Sequence, residues 1–290
     1  MLEPPQSARS NSCRICPGLR VIQHQYQAFL IDAWGVLHDG QSLYPHALAC
    51  LKQLRQNHKK VVIISNAARR ESATVRELSK LGIDKNLYHG IASSGELAWH
   101  AIQKQYAERN GYYLGPIRSR GLLDGLNVNW VSQIEKADFL LNTGAAQGNP
   151  KDASASESLL SIAAELDLPM VCANPDLVAI RGGELGVSAG AIAERYRQLG
   201  ASYIEYHGKP FDPVYQSALA MLEFPSQQQV LAIGDAFATD IIGASNAGFD
   251  SWLIAAGIHR DELVPLNPES VSRAARGTAL PNYASEYFQW

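Results

Sequence analysis

The chain has 290 residues, 46% of them hydrophobic and 18% charged, which fits one or two globular domains and excludes a disordered polymer. Its formal net charge of −3 argues against a surface built for nucleic acid or an anionic membrane. No apolar run approaches the roughly 18–20 residues of a membrane-spanning helix, and no secretory signal opens the chain, so a soluble, cytoplasmic protein is expected.

Residues 1–18, MLEPPQSARSNSCRICPG, read as a polar, disordered tail. Cys13 and Cys16 form a C-x-x-C there, with no second pair to complete a zinc site. Cys50 and Cys172 fall within apolar patterns and read as small core residues. The first short apolar run, Phe29-Leu30-Ile31, leads into Asp32. Ala47, Cys50, Leu51 and Leu54 then recur at helical spacing. The second run, Val61 to Ile64, leads into Ser65-Asn66, and Val75, Leu78 and Leu81 mark a helix that Gly82 can end. Val214, Ala218, Met221 and Leu222 predict a helix before the third run, Val230 to Ile233, which leads into Gly234-Asp235. A fourth run follows at Trp252 to Ile254. Short, β-branched, uniformly apolar runs alternating with amphipathic helices predict an α/β fold with a doubly wound parallel sheet.

The middle of the chain breaks this rhythm. About 140 residues separate Ser65 from His207-Gly-Lys-Pro210, far more than a crossover needs. That stretch carries strand signals at Ala137–Leu141 and Met170–Ala173, and helix signals at Ser154–Leu166 and Ala191–Leu199. It reads as an inserted α/β domain over residues 89–204, with the core formed by 19–88 and 205–290.

Ligands of open parallel sheets bind beyond the carboxyl ends of the strands. Asp32, Ser65, Lys209, Asp235 and Asp240 are the polar groups delivered to that rim. Carboxylates suit Mg2+, which takes hard oxygen ligands, while a lysine and a hydroxyl suit phosphate. A Walker phosphate loop and a Rossmann G-x-G-x-x-G are both absent, so nucleoside triphosphatase and nicotinamide dehydrogenase readings lack their residues.

These segments resemble the motifs of the haloacid dehalogenase (HAD) superfamily. Phe29-Leu-Ile-Asp-Ala-Trp-Gly-Val-Leu37 resembles the first, Ile64-Ser-Asn-Ala67 the second, His207-Gly-Lys-Pro210 the third and Ile233-Gly-Asp-Ala-Phe-Ala-Thr-Asp240 the fourth. The place of the insert, and Asn174-Pro175-Asp176 within it, resemble the class IIA phosphatases, whose core is Rossmann-like and whose insert is a cap. The resemblance implies hydrolysis of a small-molecule phosphate ester of sugar- or nucleotide-phosphate type. In it Asp32 would attack phosphorus and Lys209 would offset the transferring charge. Mg2+ would be held by Asp32, the main-chain carbonyl of Trp34, Asp235 and Asp240. Ser65 and Asn66 would bind the phosphoryl group, and Asn174 and Asp176 would line the substrate side. A homodimer through the cap is compatible with the same resemblance.

Trp34 departs from the pattern, because most phosphatases of the family carry a second aspartate there as general acid and base. An indole N–H does not exchange protons usefully near neutral pH. Three readings follow. The enzyme acts on good leaving groups or borrows a donor such as His38 or Asp39, although Asp39-Gly40 also reads as a turn. Alternatively the protein has lost turnover and serves as a phosphate-ligand binder or partner protein. The third reading is dehalogenase-like chemistry, which uses an aromatic residue at that position but has no need of Asp235 and Asp240.

Overall fold

The computed structural model describes residues 12–146, 156–181, 184–222 and 229–290. In chain order it contains β1 (Arg14–Ile15), β2 (Ala28–Asp32), α1 (Ala47–Gln56), β3 (Lys60–Ser65), α2 (Glu71–Lys80), β4 (Gly90–Ser93) and α3 (Ser94–Gln105). There follow β5 (Asn110–Leu114), β6 (Asn129–Val131), β7 (Phe139–Asn142), α4 (Glu157–Glu165), β8 (Met170–Cys172), β9 (Val178–Arg181), β10 (Glu184–Val187) and α5 (Ala189–Gln198). The last elements are β11 (Ile204–Tyr206), α6 (Asp212–Leu222), β12 (Val230–Gly234), α7 (Ile242–Asn246), β13 (Asp250–Ile254), α8 (Pro268–Ala275) and β14 (Tyr283–Ser285). Among the described residues no helix is long and apolar enough to cross a membrane.

A seven-stranded sheet runs β1-β14-β13-β12-β2-β3-β4. β12 pairs in parallel with both β2 and β13, so the strand that begins late in the chain sits beside one that begins early. Phe29, Leu30 and Ile31 of β2 and Val230 and Leu231 of β12 are buried, as strands covered on both faces require. α1 buries the expected stripe of Ala47, Cys50, Leu51 and Leu54, and Gly82 follows α2 at a positive φ of 91° that a non-glycine residue would resist. A second sheet, β11-β8-β7-β5-β6, is parallel throughout. It has apolar clusters of its own: Leu140, Met170, Ile192 and Tyr196 in one, and Ala98, Ile102, Phe139 and Val171 in another. β9 and β10 form an antiparallel pair. The chain divides into two compact units, Met1–Val62 with Leu222–Trp290, and Ile63–Met221. The sheet architecture is α/β and Rossmann-like, as the alternating pattern predicts.

Two expectations need correction. Residues 12–18 are not part of a disordered tail: Arg14 and Ile15 pair in parallel with Tyr283 and Ala284, and Cys13 is buried against Phe237, Ile241 and Leu253. A two-residue strand has no periodicity to reveal it. Residues 1–11 lie outside the described ones. The boundary expected at residue 89 would give β4 to the insert, yet β4 belongs to the seven-stranded sheet, and β11 runs through the expected end at residue 204. β4 is followed directly by α3, whose Ala98 and Ile102 pack with the second sheet, so a sequence pattern shows no break there. Of the helix expected over Ser154–Leu166, Ser154 and Ala155 lie outside the described residues, and α4 spans Glu157–Glu165.

Candidate active site

The first unit brings three carboxylates together. β2 ends in Asp32, β12 is followed by Asp235, and the register of Ile31 opposite Ile233 aligns the two strand ends. After Asp235 the chain enters a π-helical turn, Phe237–Ile241, that carries Asp240 back towards the strand end. All three aspartates are buried, and each offers an oxygen within 4.8 Å of those of the others. Backbone amides set two of them: Ile258 N–H donates to Asp235 Oδ2 (2.7 Å) and Ala236 N–H to Asp240 Oδ2 (3.1 Å). Glycines make the room. A Cβ on Gly35, which holds a φ of +86°, would stand 2.0 Å from Asp235 Oδ2, and one on Gly257 would stand 2.1 Å from the same atom. One on Gly234 would stand 2.0 Å from Asp240 Cγ.

Three anionic groups so close and so shielded from water repel one another unless a cation lies among them. The donor set is oxygen alone, which fits a hard divalent ion and not a thiophilic one. Asp32, Asp235 and Asp240 therefore fit a divalent metal centre.

Trp34 follows within the same loop. Its ring meets His38 edge to face at 5.5 Å, and a Cβ on Gly40 would stand 2.2 Å from it. The indole is 37% exposed, so it is a half-covered lid on its own loop and not a core plug. The two donors suggested near it differ. Asp39 accepts N–H bonds from Gln41 and Ser42 (2.8 Å each), which close the expected turn. Those amides, that of Ser42 foremost, hold its carboxyl below the ordinary aspartate range, so Asp39 is anionic at neutral pH and ill suited to give a proton. His38 is buried and its Nδ1 accepts from Gly40 N–H (3.0 Å), which leaves the proton of the neutral ring on Nε2.

The second unit holds the other expected residues. Ser65 closes β3, is buried, and its Oγ accepts the N–H of Ala67 (3.2 Å). Asn66 and Lys209, 143 residues apart, are joined twice: Asn66 Oδ1 accepts from Lys209 N–H (2.7 Å) and Asn66 Nδ2 donates to Lys209 O (3.0 Å). Asn66 Nδ2 also donates to Asp176 Oδ1 (2.8 Å). Asn174 turns inward on its own segment, its Oδ1 accepting from Asp176 N–H (2.9 Å) and its Nδ2 donating to Ser188 Oγ (3.0 Å). Sequence reading missed Gly257, which no motif marks, and the pairing of Asn66 with Lys209, which only the fold creates.

Comparison with known proteins identifies the family. Residues 29–129 match the haloacid dehalogenase-like hydrolase family, and residues 206–276 match the HAD-hydrolase-like family, so both motif-bearing stretches are accounted for. The chain belongs to the haloacid dehalogenase-like hydrolases. This HAD-like hydrolase is 23% identical over 234 residues to an acid sugar phosphatase of Staphylococcus epidermidis, covering 80% of the chain and 88% of the relative. It is 24% identical over 252 residues to a dihydroxyacetone phosphatase of Corynebacterium glutamicum, covering 84% and 87%. Its fold superimposes on a haloacid dehalogenase-like hydrolase of Brucella suis with a TM-score of 0.82 at 28% identity, over 94% of this chain and 99% of that one.

Proposed function

We propose that this HAD-like hydrolase is a Mg2+-dependent phosphatase of small phosphorylated metabolites, with Asp32 as nucleophile. The observation that carries the reading is the buried trio of Asp32, Asp235 and Asp240 at the carboxyl ends of β2 and β12. The relatives named as acid sugar and dihydroxyacetone phosphatases point to short, polyhydroxylated phosphate monoesters. Class IIA membership, with the second sheet serving as cap, is part of the same proposal.

Bound among the three carboxylates, with the main-chain carbonyl of Trp34 as a further ligand, Mg2+ would supply charge neutralisation at the phosphoryl oxygens. A carboxylate oxygen of Asp32 attacks phosphorus as the ester P–O bond breaks, giving an aspartyl-phosphate and an alkoxide that takes its proton from water. Water then splits the acyl phosphate, releasing inorganic phosphate and restoring the Asp32 carboxylate. Ser65 holds a phosphoryl oxygen, Lys209 offsets the developing negative charge, and Asn174 and Asp176 shape the substrate side. The departing oxygen needs a proton that Trp34 cannot give, so esters with acidic leaving groups react fastest.

Release of inorganic phosphate from a panel of triose, pentose and hexose phosphates, with and without Mg2+, tests the reading. Turnover that requires Mg2+ and vanishes in Asp32→Asn is expected, and failure to hydrolyse any ester would overturn it. Trp34 itself favours a second reading, a phosphate-ligand binder without turnover. That reading requires calorimetric binding of the same esters by a wild-type protein that hydrolyses none of them.

A further inference from the structure

We propose that Asn66 is a positioning residue that fixes the backbone of Lys209, and that Asp176 holds Asn66 to that task. The inference rests on the phosphatase reading, since it takes Lys209 as the charge-stabilising group.

The amide of Asn66 has two N–H donors. One is spent on Lys209 O (3.0 Å) and the other on Asp176 Oδ1 (2.8 Å). Its oxygen accepts the Lys209 N–H at 2.7 Å. No amide proton is left for a phosphoryl oxygen, which distinguishes Asn66 from a substrate-binding residue. The orientation of the amide is fixed by its partners, because an N–H, a carbonyl and a carboxylate can each be met by only one end of it. Asn66 and Lys209 are both buried, where such bonds are strong and a lost partner is expensive.

Gripping both the N–H and the C=O of one residue fixes the direction in which its side chain leaves the backbone. The approach is close enough to require glycine next door: Gly208 holds a φ of +117°, and a Cβ there would stand 2.4 Å from Asn66 Oδ1. Asp176 is itself anchored from both sides. Its N–H is bound by Asn174 Oδ1 (2.9 Å) and its carbonyl accepts from Gly190 N–H (3.0 Å). Asp176 thus acts on the lysine through Asn66.

The test is a double-mutant cycle in Mg2+, with 4-nitrophenyl phosphate as substrate. Displacing a catalytic group by about 1 Å can cost on the order of 100-fold, so Asn66→Ala is expected to lower kcat about 10- to 100-fold with KM within about threefold. In a Lys209→Met background the same change should have no further effect, because there is no longer an ammonium to misplace. Independent, multiplying losses would overturn the inference, as would a rise in KM at unchanged kcat. Full activity of Asn66→Ala beside an inactive Lys209→Met overturns the inference alone. Full activity of Lys209→Met overturns the role given to Lys209 and the inference with it. Should Asn66→Ala fail to fold, Asp176→Ala takes its place, with a smaller loss in kcat that also disappears in the Lys209→Met background. An unchanged kcat in Asp176→Ala removes the proposed link.

Discussion

In the proposed reaction Trp34 stands where an acid would serve the leaving group, and its contacts show what replacing it disturbs. The ring packs edge to face on His38 and covers Gly40, and it is over a third exposed. Losing such a pair costs about 0.5–1.5 kcal/mol beyond the buried area, which a folded domain tolerates. Trp34→Asp should therefore fold and place a carboxyl near the proposed metal site. Initial rates should rise more for alkyl phosphates, whose leaving groups need a proton, than for 4-nitrophenyl phosphate. A folded variant without that selective gain would defeat the missing-acid account. At the proposed metal site, Asp235→Ala should abolish Mg2+ binding in calorimetry, and equal affinity in the two proteins would remove Asp235 from the site. Gly257→Ala is a subtler probe, since its Cβ would stand 2.1 Å from Asp235 Oδ2. The carboxylate must yield, and Mg2+ affinity measured the same way should fall about 10-fold or more. Unchanged affinity would mean that the loop gives way instead. Asp32 and Asp235 were legible in the sequence because each lies at the end of a flat apolar run, Asp32 directly and Asp235 after Gly234. Gly257 and the grip of Asn66 on Lys209 were not, since chain segments far apart in sequence create both.

Among the elements, the strands and helices with strong periodicity were read closely, α1 to the very residues it buries. The failures lie where length or register removes the signal: β1 is two residues long, and β4 passes into α3 with no turn residues between them. α8 connects such local detail to the site. Asn267 caps it with a reciprocal capping box, its side chain accepting Ser270 N–H (2.8 Å) while Ser270 Oγ accepts Asn267 N–H (3.1 Å). The helix then buries Val271, Ala274 and Ala275 in the cluster that includes Phe237 and Ile241, which flank Asp240. Asn267→Ala should cost about 1 kcal/mol, seen as a lower urea midpoint at unchanged slope. A midpoint equal to wild type would show that packing alone holds α8.

On the scale of the molecule, the four cysteines report on global integrity. All are buried free thiols. Burial pushes those of Cys13 and Cys172 up to about 12, with Cys16 adding to the effect at Cys13, and raises those of Cys16 and Cys50 as well. Thiolates are scarce at pH 8, and iodoacetamide should label none of the four in native buffer and all four in denaturant. Rapid native labelling of Cys13 or Cys16 would mean that the β1 edge opens on its own. The strand order carries a further consequence for how the protein is made. β2 sits between β12 and β3, so the strand that ends in Asp32 lacks one neighbour until about two hundred more residues have left the ribosome. At roughly 5–20 residues per second that is a wait of about 10–40 s. Throughout it β2 waits for the strand that pairs with it on one side, and only Asp32 of the three clustered carboxylates has been made. The proposed metal site, which draws on Asp32, Asp235 and Asp240, can be completed only after Asp240 has emerged.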